Sequence, residues 1–171
     1  VFSQYKWNSE VYLLDGKQRD HISFEDLETT IYGFSYWKNQ ITKPLYDRMK
    51  PDESEGSDFS ILLAHGGDES HIPIQREALK WSGFDYIALG HIHKPMKVGS
   101  ELYRYCGTPL ACSVSEAQQQ KGIIMVEMGV KGEVKSTPKD FILQSIDIYT
   151  NKPNPMPKNP AIYPKIINKN L

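Results

Sequence analysis

Three histidines, His65, His91 and His93, follow closely on apolar runs of the sequence. The runs cover 59–64 and 84–89 and are nearly continuous, which is typical of strands that are buried on both faces. Because ligands collect beyond the carboxyl ends of strands in open α/β sheets, we expect the three imidazoles to converge. Imidazole is the commonest protein ligand for transition-metal ions. The pattern therefore predicts a metal site.

Taken singly, each histidine is more often a core or loop residue that is satisfied by main-chain carbonyls. The joint placement of three after buried strands, next to glycines that let the backbone turn sharply, favours the metal site instead. His21 stands beside Asp20 in a polar loop, and His71 precedes a predicted helix. We interpret His21 and His71 as structural or surface residues.

A strand, helix, strand succession positions these histidines. Between the two apolar runs, an apolar helical pattern over 73–82 begins at Pro73 and is followed by Gly83, so a crossover helix is predicted. Such a unit belongs to the α/β fold class. The remaining pattern predicts a short helix over 44–49 and strands over 10–14, 22–24, 29–36, 102–106, 121–128 and 134–142.

The composition is that of a globular protein without an overall charge bias. The 171 residues are 39% hydrophobic and 24% charged, and 20 Lys and Arg against 21 Asp and Glu give a formal charge of -1. A polyanion such as DNA would therefore need a local basic patch. The candidates for phosphate contacts near the predicted site are Lys94, Lys97, Arg104 and Lys121, with a scatter of solvated surface residues as the alternative.

Other features bound the protein's class and location. No apolar run approaches the roughly 20 residues of a membrane helix, so no membrane association is expected. Cys106 and Cys112 are too few for a disulfide framework, which favours a reducing cytoplasmic location. The N-terminus lacks a starting Met and signal-peptide features, so we expect a chain cut from a longer one. The proline-rich stretch 151–171 predicts an extended arm or linker.

Three segments resemble the calcineurin-like metallophosphoesterases. They are 63–67 (LAHGG), 84–95 (FDYIALGHIHKP) and 105–110 (YCGTPL). The Gly-His-x-His element and the Gly-Thr-Pro are similar to those of the DNA-repair exonuclease branch, the SbcD and YhaO type. The resemblance implies that residues 1–150 are the C-terminal half of the catalytic domain, the second half of a layered α/β/β/α sandwich with mixed sheets.

The resemblance also implies an activity, cofactors and partners. It implies metal-dependent hydrolysis of DNA phosphodiesters with two Mn²⁺ ions, one held by His65 and His91 and the other by His93. No catalytic residue beyond these ligands is carried over to this chain. The partners implied are DNA, a second copy of the protein in a homodimer, and an SMC-like coiled-coil ATPase.

The family's earlier motifs, Asp-x-His, Gly-Asp-x-x-Asp and Gly-Asn-His-Asp, do not occur in this sequence, and 67–71 (GDESH) matches the second only briefly. Three imidazoles without a carboxylate offset the charge of two dications poorly. We therefore expect the isolated chain to bind at most one ion weakly and to be inactive. The alternatives are a phosphoesterase of the same superfamily acting on nucleotides or phosphoproteins, and a non-catalytic binding or scaffold module with a decayed metal site.

Overall fold

The computed structural model describes residues 5–16, 20–129 and 133–140. The predicted arm at 151–171 lies outside the described residues, as do the residues at 141–142 that were expected to end the last strand. Within the described ranges, no helix is long and apolar enough to cross a membrane.

A six-stranded mixed sheet forms the body of the described chain. Its four central strands run parallel to one another, while the strand at each edge is antiparallel to its neighbour. This mixed sheet with a helical crossover confirms the predicted α/β class, and the layered sandwich stays a prediction. In the order β1-β2-β3-β4-β6-β5, the sheet contains β1 (Asp20–Phe24), β2 (Thr29–Gly33), β3 (Phe59–His65), β4 (Tyr86–Gly90), β6 (Tyr103–Tyr105) and β5 (Met96–Lys97).

The crossover between β3 and β4 contains helix α1 (Arg76–Lys80), which is shorter than the predicted 73–82. The chain ahead of α1 contacts Ile41 and is not helical. The Ile72 N–H donates to the Ile41 carbonyl at 2.7 Å, and Gln75 still has extended dihedral angles. The helix therefore begins at Arg76, after the residues that contact Ile41.

Two other predicted elements differ from the structure. The predicted strand over 10–14 is wrong: these residues are not assigned to a strand, they pair with none of the described strands, and Val11, Tyr12 and Leu13 are exposed. The predicted strand over 29–36 ends at Gly33, where a Cβ atom would lie 2.8 Å from the Leu63 carbonyl oxygen. The predicted helix over 44–49 is a 3₁₀ turn, Leu45–Arg48.

A separate two-stranded sheet pairs β7 (Gly122–Met128) with β8 (Val134–Asp140) in antiparallel register. Pro138 lies opposite Ile124 in this hairpin, where each of the two strands is an edge strand that tolerates proline.

The core lies on one face of the six-stranded sheet. Leu62 and Ile87 point into it and are fully buried, together with Leu79 from α1. Leu63 on the opposite face is 53% exposed, so the expectation that β3 is buried on both faces is wrong for the described chain. An open groove of about 500 Å³ lies on that second face, lined by side chains of the main sheet and of β7.

Candidate metal centre

The rings of His65 and His91 lie close together at the carboxyl ends of neighbouring parallel strands. His65 is the last residue of β3 and pairs with Gly90, the last residue of β4. The ring centroids of His65 and His91 are 5.3 Å apart. The expected convergence of these two imidazoles is therefore present.

Two tyrosine hydroxyls hold the main chain of His65. Tyr36 Oη donates to the His65 carbonyl at 2.8 Å, and the buried Tyr46 Oη accepts the His65 N–H at 3.0 Å. Burial raises the pKa of Tyr46 above its usual value. Burial, followed by the positive charge of neighbouring histidines, lowers the pKa of His65. A neutral imidazole, the form that binds a metal ion, is therefore favoured at His65.

Glycine is required at position 67, two residues after His65. Gly67 has a φ of +123°, and a Cβ atom there would lie 2.0 Å from Tyr105 Oη. That hydroxyl donates to the Gly66 carbonyl at 2.8 Å. Glycine therefore allows Tyr105 to fasten the turn that leaves β3.

His91 has an unusual backbone conformation. Its φ is +97°, in a region that residues with a side chain rarely adopt. Such strain persists only where surrounding structure enforces it, and it is common at functional sites. The turn after β4 thus directs the His91 ring toward His65.

Asp68 brings a carboxylate to the site. Its Oδ2 lies 2.6 Å from His91 Nε2, and its Oδ1 lies 2.9 Å from His71 Nδ1. The hydrogen bond from His91, more than the one from His71, holds the pKa of Asp68 well below its usual value. The expectation of an imidazole site without a carboxylate is therefore wrong, and His71 lies in the cluster rather than apart from it.

His93 belongs to a second group of possible ligand atoms, with Cys112 and Glu116. His93 Nδ1 lies 2.8 Å from Glu116 Oε1. The hydrogen bonds from Lys121 and then His93 lower the pKa of Glu116 to about 2. His93 and His91 thus belong to different candidate groups, and the division of the histidines between two ions stays a prediction.

The donor sets fit a divalent metal ion. The possible ligand atoms of Asp68, His71 and His91 all lie within 4.8 Å of one another, as do those of the second group. Imidazole nitrogen combined with carboxylate oxygen suits manganese, zinc and iron ions.

Comparisons with known proteins agree with this geometry. No protein-family profile matches the chain. A DNA double-strand break repair protein of Methanocaldococcus jannaschii is 38% identical over 88 residues, which are 49% of this chain and 24% of that protein. The uncharacterized metallophosphoesterase YhaO of Bacillus subtilis is 37% identical over 78 residues, 42% of this chain and 19% of its own. A component of the nuclease SbcCD of Staphylococcus epidermidis is 38% identical over 45 residues, 26% of this chain and 12% of its own.

The chain is therefore similar, over parts of its length, to proteins of the calcineurin-like DNA-repair nuclease family. It spans about a quarter or less of the length of these three curated relatives. The resemblance that rests on the Gly-His-x-His element and on the Gly-Thr-Pro is therefore confirmed by these relatives.

Three of the four residues proposed for phosphate contacts, Lys94, Lys97 and Arg104, have different surroundings. Arg104 is 8% exposed and pairs with Glu101 from within the sheet. Lys97 also pairs with Glu101, with 2.6 Å between Nζ and Oε1. Lys94 is exposed beside an open groove of about 540 Å³ that Lys139 also lines. Their assignment to phosphate binding stays a prediction, and Lys94 has the most accessible position.

Sequence reasoning missed Asp68 and His71 as parts of the cluster. Their spacing of three residues directly after Gly67 was the available signal, since such a tight loop brings both side chains to one side. Glu116 gave no usable signal, because its partner His93 lies 23 residues earlier in the chain.

Proposed function

We propose that this chain carries part of the metal centre of a metal-dependent phosphodiesterase that acts on DNA in repair. The approach of the His65 and His91 rings at the ends of β3 and β4 is the observation that carries the proposal. Asp68 adds an anionic donor beside them, which offsets part of the charge of a bound cation. Relatives named as a DNA double-strand break repair protein and as a nuclease support DNA as the substrate.

In this proposal, His65 and His91 are ligands of one divalent ion, and His93 is a ligand of the other. Manganese is the first choice for both ions because of the family resemblance. A pair of divalent ions, when bound, polarises a phosphodiester and activates water for attack near neutral pH.

In this proposal, the residues of this chain hold the metal-binding imidazoles in place and contact a substrate phosphate. Burial keeps the His65 imidazole neutral, and Tyr46 fixes the main chain that carries it. The positive φ of His91 directs its ring toward the same space. Lys94 is the proposed contact for a substrate phosphate, since its side chain is exposed next to His93.

Residues 1–150 are proposed to be the C-terminal half of the catalytic domain, completed by a segment with the family's earlier carboxylate motifs. The chain alone then binds at most one ion weakly and is inactive. By the same resemblance, the complete protein is proposed to form a homodimer and to act with an SMC-like coiled-coil ATPase. Both cysteines are free, which supports a reducing cytoplasmic location.

The test uses the full natural protein in which this sequence occurs. Asn tolerates positive φ better than most residues, so His91→Asn removes the imidazole and keeps the turn. We expect the Mn²⁺-dependent degradation of linear duplex DNA to fall at least about 100-fold in this variant, because ligand loss removes electrostatic stabilisation of the reacting phosphate. His21→Asn is the matched control, because His21 lies on edge strand β1 and pairs with Glu55.

Equal activity of His91→Asn and wild type would overturn the assignment of the site. Preferred hydrolysis of nucleotides or phosphopeptides over DNA would support the superfamily alternative instead. A complete wild-type protein that hydrolyses none of these substrates would support the scaffold alternative.

A further inference from the structure

Glu116 is a buried carboxylate in an otherwise exposed stretch of the chain. It ends the 3₁₀ turn Val114–Glu116 and is 8% exposed, whereas Val114 is 78% exposed. Burial of a carboxylate costs free energy unless polar partners replace its water. Its partners therefore indicate why it is buried.

Lys121 is the counter-ion of Glu116. It is 5% exposed, and its Nζ lies 2.8 Å from Glu116 Oε2. The same ammonium lies 2.8 Å from the His93 carbonyl oxygen and 2.9 Å from both Thr108 Oγ1 and Gln119 Oε1. Three N–H donors shared among four oxygens fix the position of the ammonium, and through it the position of Glu116.

This ion pair holds His93 at two points. Glu116 Oε1 lies 2.8 Å from Nδ1 of the ring, and Lys121 Nζ binds the main-chain carbonyl oxygen. The Thr108 N–H donates to the same carbonyl oxygen at 3.2 Å. Both the ring and the backbone of His93 are thus tied to the segment that follows β6.

We propose that Glu116 is a positioning residue for His93. A carboxylate paired with an ammonium only accepts hydrogen bonds, so Nδ1 of His93 carries the hydrogen. In the neutral ring, the lone pair on Nε2 is then left for a cation. Metal-binding histidines commonly donate their other ring N–H to a carboxylate in this way. The proposal rests on the proposed function, because it takes His93 as a ligand.

Direct coordination by Glu116 is the competing arrangement, since Cys112 and His93 are its neighbours in the same group. Both Glu116 oxygens already accept hydrogen bonds, including one from the Cys112 N–H to Oε2 at 3.1 Å. The Cys112 thiol donates to the Leu110 carbonyl at 3.6 Å. Coordination would have to break these contacts, so the geometry favours positioning.

The first measurement is the ring tautomer of His93 in the metal-free wild-type chain, read from long-range ¹H–¹⁵N NMR spectra. We expect hydrogen on Nδ1 and none on Nε2. His21 provides an internal comparison, because Glu55 Oε1 lies 3.1 Å from its Nε2 and favours the opposite tautomer. A His93 ring with hydrogen on Nε2 alone would overturn the proposal.

The second measurement is the affinity for Mn²⁺ of the full natural protein in which this sequence occurs, from the electron paramagnetic resonance signal of the free ion. Glu116→Gln keeps the shape of the side chain and is expected to weaken binding about 10- to 100-fold. Glu55→Gln, the matched control, is expected to leave the affinity unchanged. Cys112→Ser separates the two arrangements, because only direct coordination makes it weaken binding as strongly as Glu116→Gln does.

Unchanged affinity in a folded Glu116→Gln variant overturns the proposal, and so does an equal loss in Cys112→Ser. If Glu116→Gln does not fold, as judged by circular dichroism, the tautomer of His93 in the wild-type chain decides whether the proposal holds. If the full wild-type protein binds no Mn²⁺, the proposed function fails, whereas the tautomer still shows whether Glu116 orients the ring.

Discussion

The hydroxyl of Tyr46 contacts both main-chain polar atoms of His65. It accepts the His65 N–H at 3.0 Å and lies 3.3 Å from the His65 carbonyl oxygen. Tyr46 lies in the 3₁₀ turn after β2 and is 1% exposed, so one buried side chain ties that turn to the end of β3. The position of a candidate metal ligand thus depends on a residue that has no ligand role.

Tyr46→Phe is expected to lower the free energy of unfolding by about 1–3 kcal/mol, because it leaves a buried N–H without its acceptor. Urea denaturation measures the change. Tyr36→Phe is the comparison, since Tyr36 is more exposed and contacts only the carbonyl oxygen, to which Tyr46 also binds. If Tyr46→Phe lowers the free energy of unfolding no more than Tyr36→Phe does, Tyr46 does not stabilise the His65 main chain as described.

Tyr105 is expected to make the free energy of unfolding fall at alkaline pH. Burial, with a smaller effect of Asp68, raises the pKa of Tyr105 from 10.0 to about 12. The unfolded chain therefore ionises first, so this contribution is complete below pH 10 and is lost as the pH rises toward 12. Urea denaturation at several pH values between 8 and 11 should show a steeper loss in wild type than in Tyr105→Phe. Parallel curves would contradict the expectation.

Gly67→Ala is expected to destabilise the turn after β3. The new methyl group would lie 2.0 Å from Tyr105 Oη, so the hydrogen bond to Gly66 would break in addition to the cost of a positive φ. Gly99→Ala is the matched control, because Gly99 also has a positive φ but nothing lies within 4 Å of its added methyl group. Thermal unfolding should show a larger drop in the midpoint for Gly67→Ala, and equal drops would refute the clash.

Asp68→Asn is expected to weaken Mn²⁺ binding at least about tenfold, because it removes an anionic oxygen from the cluster. Glu69→Gln makes the same change in charge at the neighbouring exposed residue. Isothermal titration of both variants measures the difference. Equal Mn²⁺ affinities of the two variants would show that Asp68 is not part of the metal site.

The sequence predicts the parts of the fold and site that local pattern determines. Apolar runs predicted β3 and β4, and the parallel order of a βαβ unit predicted that His65 and His91 would meet. The strand expected over 10–14 was wrong because pairing depends on a partner that pattern alone does not reveal. The carboxylates were missed for a similar reason: Asp68 lies in a loop without periodicity, and the contact of Glu116 with His93 joins residues 23 positions apart.

The most direct test of the metal centre is selective broadening of histidine ring signals by Mn²⁺ in the NMR spectrum of the chain. At substoichiometric Mn²⁺, we expect the ring C–H signals of His65, His91 and His71 to broaden before that of His21. His21 is the reference because it pairs with Glu55 on strand β1. Equal broadening of His21, or none at His65 and His91, would contradict the account.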